Sequence, residues 1–140
     1  MNPSRPIYIL FLLVSIPAFS QNMKESDIVS FRLYDYRTFP ADKEFSDYSV
    51  DDISKMTYYE IPADSLKGSI GKPHTLLSPP FFKGSFFVTV DLKNGSRKRL
   101  KVSTYGGFYE DLNSGKYYSI SDDRAEKFQN MLRIAHRHLN

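Results

Sequence analysis

The 140-residue chain has no cysteine and no tryptophan. Without cysteine there are no disulfides, no thiolate metal sites, no thiol nucleophile and no acylated lipoprotein cysteine, so packing and hydrogen bonds must hold the fold. Without tryptophan, ring stacking against sugars loses its best partner. Long apolar runs are also scarce. The run Ile7 to Ile16 has ten residues, against about 20 for a comfortable bilayer span. No HExxH, EF-hand, P-loop or GxSxG spacing occurs, so no metal, phosphate or cofactor chemistry is expected. Charge of one sign is scarce as well. Removing Arg5 with a leader takes the 19 Lys plus Arg to 18 against 16 Asp plus Glu, a net +2, which does not argue for nucleic acid.

What is present begins with an export signal. Arg5 precedes the short apolar run, and Pro17-Ala18-Phe19-Ser20 ends it with small residues where a signal peptidase reads. Residues 1–20 are therefore predicted to be a cleavable signal peptide. Residues 21–140 then form one domain, exported to the periplasm or the extracellular space, with no integral membrane span after cleavage.

The densest strand signals lie between Phe81 and Ile120, with turn signals at Asn94-Gly95 and Asn113-Ser114-Gly115. Parity fixes the first hairpin. A two-residue loop would set Val90 against Arg99, cation beside core. A three-residue loop, Lys93-Asn94-Gly95 with Gly95 left-handed, pairs Val88 with Leu100, Phe86 with Val102 and Asp91 with Arg97. The same logic at the second turn sets Phe108 opposite Ile120.

Before this meander, Val29, Phe31 and Leu33 alternate with Ser30, Arg32, Tyr34 and Tyr36, reading as a strand with a tyrosine-rich outer side. Ser49 and Asp52 fit a capping box for a short helix over 50–55, and Thr57 to Ile61 reads as a short strand. Residues 62–80, punctuated by Pro62, Gly68, Gly71, Pro73, Pro79 and Pro80, give no clear element. After the meander, Ser121, Asp122 and Asp123 open a helix whose stripe is Ala125, Phe128, Met131, Leu132, Ala135 and Leu139. The predicted fold is α+β: an antiparallel meander of about five strands with the C-terminal helix packed on one face.

Candidate chemistry is sparse. His136 and His138 diverge on a helix, and His74 stands alone in the unread stretch. The basic run Arg97 to Lys101 reads as a solvated edge strand or an acidic-partner dock. Asn94-Gly95-Ser96 is a glycosylation sequon at a hairpin tip. Gly106-Gly107 is a bend, or a place where a ligand nears the backbone between Tyr105 and Tyr109. The aromatic excess, ten Tyr and eleven Phe, carries the most information. It nominates Tyr34, Tyr36, Phe87, Tyr105, Gly106, Gly107 and Tyr109 as a binding surface for a protein partner, unless residues 62–82 fold over it. The expected function is a non-catalytic interaction module, of the inhibitor or immunity type. The competing expectation is a small secreted hydrolase built around His74 and the 62–80 loop.

Overall fold

The computed structural model describes residues 22–39 and 43–140. The expected signal peptide over residues 1–20 and its expected cleavage site lie outside the described residues.

Among the described residues seven strands make one antiparallel sheet: β1 Ile28–Tyr34, β2 Tyr58–Glu60, β3 His74–Leu76, β4 Ser85–Leu92, β5 Arg97–Ser103, β6 Phe108–Asp111 and β7 Lys116–Ser119. Their spatial order is β2-β1-β4-β5-β6-β7-β3. This corrects the expected count of about five. The strand that sequence reading missed altogether is β3, which has three residues and exists by pairing with β7, His74 opposite Ser119 and Leu76 opposite Tyr117. Among the described residues three α-helices accompany the sheet: α1 Val50–Ser54, α2 Ala63–Leu66 and α3 Asp122–Arg137.

The β4–β5 hairpin has the register that parity demands. Val88 faces Leu100, Phe86 faces Val102 and Asp91 faces Arg97; Gly95 closes the turn at φ +85°, which only glycine adopts at no steric cost. The second turn differs by one residue. Asp111 pairs with Lys116, so Phe108 lies opposite Ser119 rather than Ile120. The positive φ of both Gly106 and Gly107 resets the alternation before β6. Tyr109 and Tyr118 thereby take the core side, while Ile120 leaves the ladder and donates its amide to the Gly107 carbonyl at 2.6 Å.

One sheet face meets α3. Phe31, Leu33, Val88, Val90, Leu100, Val102, Tyr109 and Tyr118 pack against Phe128, Met131, Leu132 and Ala135, with Ile61, Leu66 and Ile70 filling the side. The helix stripe is the predicted one, and Ser121 is its N-cap. Val29 departs from expectation: a register shift between Ile28 and Ser30 makes it an extra residue in the ladder, and it is 65% exposed.

The opposite face corrects a larger expectation. Tyr34 is not an outward ring but is 3% exposed, in a second core with Phe45, Tyr48, Ile53 and Met56 and with Phe39 and Phe87 packed against it. The cover comes from the β1–β2 connection, not from residues 62–82. The Ser49–Asp52 capping box starts α1 there, and Arg99 anchors the cover by donating to the carbonyls of Phe45, Ser46 and Tyr48 at 3.1, 3.3 and 2.5 Å.

The basic strand β5 is the middle strand of the sheet, not an edge. Its cations are used internally. Arg97 forms a two-point bond with Asp91, and Lys98 is buried on the core side with its Nζ 2.6 Å from Asp111.

Candidate binding surface

The face opposite α3 divides at β5. On one side lies the second core. On the other, the ladder aligns Lys101, Glu110, Tyr117 and Leu76 across β5, β6, β7 and β3, with Phe108, Ser119 and His74 in the adjacent row. Alternation puts these side chains on the open face because their neighbours Val102, Tyr109 and Tyr118 point to the main core.

A single ring is laid across this half. Phe82, from the β3–β4 connection, meets Phe108 edge-on at 5.5 Å and Tyr117 at 6.3 Å. The Lys101 ammonium sits 5.3 Å from its centroid. Tyr105 continues the cluster, edge-on to Phe108 at 5.8 Å, and its hydroxyl donates to the Phe81 carbonyl at 3.3 Å. Phe82, Phe108 and Tyr117 remain half-exposed, while Tyr105 is 41%, Phe81 77% and Leu77 fully exposed. Burial, then the charge and hydrogen bonding of Glu110, raise the Tyr117 hydroxyl pKa above the ordinary tyrosine value, so it stays a neutral donor at physiological pH.

The seven nominated residues separate. Tyr105 belongs to this surface. Tyr34 and Phe87 belong to the second core, and Tyr36 is exposed on the turn after β1. Tyr109 is 1% exposed in the main core, stacked on Tyr118 at 5.3 Å. The glycines serve close packing. A Cβ on Gly107 would come within 2.9 Å of the Ala125 Cβ, and one on Gly106 within 2.4 Å of the Phe108 ring. Gln129, buried on α3, accepts from the Gly107 amide and donates to the Ser103 carbonyl. That fastens the bend to the helix.

Sequence reasoning missed Phe108 and Tyr117, read Phe81 and Phe82 only as part of a covering stretch, and placed Lys101 only within the basic run that could dock an acidic partner. The visible signal was Phe81-Phe82 directly after Pro79-Pro80: two rings next to residues that cannot enter a ladder must lie on a face or in solvent. Here one does each.

Other candidates are weaker. A groove of about 260 Å³ runs between β2, α2 and α3, walled by Tyr59, Ile61, Met131 and Ile134. His74 is exposed on edge strand β3, and its ladder neighbour Ser119 donates its hydroxyl to the Ile120 carbonyl. His138 stacks on Tyr59 at 4.4 Å. Among the described residues, no three His, Cys, Asp or Glu are grouped to hold a metal ion, and no helix is long and apolar enough to cross a membrane. Comparison with protein-family models, with curated proteins and with solved structures returned no match.

Proposed function

We propose that this protein is an exported, non-catalytic interaction module, of the inhibitor or immunity type, that covers a protein partner with the open half of its sheet. The observation that carries this reading is the contiguous ring cluster Phe82, Phe108, Tyr105 and Tyr117 over the β6–β7 half of the sheet, half-buried except for the exposed Tyr105 and bordered by Lys101 and Glu110. Rigid aromatic side chains with polar tips give large contact area at low entropic cost, and central rings of this kind dominate binding energy at interfaces. Lys101 and Glu110, facing each other across β5 and β6, set the orientation of a docking partner.

The test is recovery of partners from the native envelope fraction by the wild-type protein and by a Tyr105→Ala, Tyr117→Ala double variant. The variant is expected to lose a partner that both wild type and Tyr36→Ala retain. Equal recovery by all three would remove the open half as the binding surface.

A further inference from the structure

The β3–β4 connection presents its apolar side chains in a way the fold does not need. Leu77 and Phe81 are the two most exposed large apolar residues described, at 104% and 77%, and they flank Ser78-Pro79-Pro80 on one loop. The loop is held out rather than collapsed. β3 fixes one end through its ladder with β7, Phe82 fixes the other against Phe108, and the Tyr105 hydroxyl holds the Phe81 carbonyl. The two prolines fix φ and push the preceding residues towards extended backbone.

Cations fringe this tip. Lys83 follows Phe81 by two residues and is exposed. The register that pairs Leu76 with Tyr117 brings the exposed Lys116 beside Leu77, and Lys101 lies over Phe82. Glu110 is the facing carboxylate, which leaves the rim with a positive surplus.

We infer that the tip Leu77–Phe81 with Lys83 and Lys116 docks the protein peripherally on an anionic phospholipid surface. Leucine and phenylalanine enter the boundary between headgroups and acyl chains, tyrosines sit at headgroup level, and lysines attract anionic lipid. The chemistry favours lipid over a protein groove at this tip. Lysine is depleted at protein interfaces, where arginine is enriched, but its hydrated ammonium suits the headgroup layer. Docking by the rim sets the open half of the sheet next to the bilayer, where an envelope partner would meet it.

The experiment is flotation of the exported protein with vesicles of phosphatidylcholine alone and of phosphatidylcholine mixed with phosphatidylglycerol. Wild type should float with the anionic vesicles at low salt and be released as salt rises. Leu77→Ser with Phe81→Ser, and separately Lys83→Gln with Lys116→Gln, should each weaken binding about ten-fold or more. All proteins share one N-terminus, so any contribution of residues 1–20 cancels in the comparison. Failure of wild type to float with anionic vesicles overturns the inference, as does undiminished flotation of the Leu77, Phe81 variant. Loss of a soluble partner by that variant, with no vesicle binding by wild type, would reassign the tip to a protein. Tyr117→Ala alone keeps all four tip residues and the Tyr105 hydroxyl on the Phe81 carbonyl, so partner loss by that variant with undiminished flotation, or the reverse, separates failure of the membrane inference from failure of the partner reading on which its envelope setting rests.

Discussion

Over β1 and β4 the face opposite α3 carries Tyr34, Thr89 and Phe87, and Phe39 with residues 43–57 of the β1–β2 connection lies back across them. Over β6 and β7 it carries Phe108 and Tyr117, and only Phe82 is laid down. The strands are alike in alternation and in aromatic content. What differs is the connection above them. The first brings Phe39, Phe45, Tyr48, Ile53 and Met56, a capped helical turn, and carbonyls for the Arg99 guanidinium. The second brings two prolines, one lysine and two apolar side chains turned to solvent. Whether a ring on this sheet is buried or left open is therefore decided by the loop that crosses it, not by the strand that bears it.

The largest expected effect lies on the covered half. Phe45 is 2% exposed and contacts the rings of Tyr34, Phe39 and Phe87 at 5.8, 5.4 and 5.2 Å. Phe45→Ala should cost about 3–5 kcal/mol of unfolding free energy, the range for a buried ring truncated in a packed core. Urea denaturation measures it. A loss under about 1 kcal/mol would mean that residues 43–57 rest loosely on the sheet and that both halves are open to contact.

The parts legible in the sequence were those set by neighbours along the chain. The β4–β5 register follows from parity and one glycine, the α1 cap from Ser49 and Asp52, and the α3 stripe from three- and four-residue spacing. The illegible parts depend on distant partners. β3 becomes a strand only because Ser119 and Tyr117 wait for His74 and Leu76. Lys98 shares the parity of Leu100 and Val102, yet a core lysine makes sense only once Asp111 arrives from the next strand. The run Arg97 to Lys101 resembled an edge because charge on a strand usually marks one. In the middle strand the same charge is tolerated because Asp91, Asp111, three carbonyls and the Phe82 ring receive it.

A smaller effect sharpens the contrast from the open side. Glu25 accepts from the amides of Gly68, Ile70 and Gly71 at 3.0, 2.9 and 3.2 Å, bracing the turn that feeds β3. Burial works to raise its carboxyl, but those amides outweigh it and hold the pKa below the ordinary value of 4.5. With the folded pKa depressed, the stabilisation is complete above that value and is lost as pH falls through the folded pKa. Protection of the Ile70 and Gly71 amides, taken relative to the intrinsic exchange rate at each pH, should therefore fall in acid, and Glu25→Gln should reproduce the loss at neutral pH while the Ile53 amide, bonded to the Ser49 carbonyl, stays protected. Unchanged exchange in the variant would show that β3 is held by its ladder alone.

The smallest expected effect is the most discriminating. Tyr105 is 41% exposed and Tyr117 half-exposed, and their ring contacts run to Phe108 and Phe82 rather than into either buried cluster. If the open half is contact surface, Tyr105→Ala should shift stability by no more than about 0.5 kcal/mol, the usual span for surface substitutions, even in the double variant that abolishes partner recovery. Core residues behave oppositely, since truncation removes packing that the folded chain itself uses. A Tyr105→Ala variant destabilised as much as Phe45→Ala would place Tyr105 in a third core closed by the β3–β4 loop. An aromatic row that binds without stabilising has its energy held for another molecule.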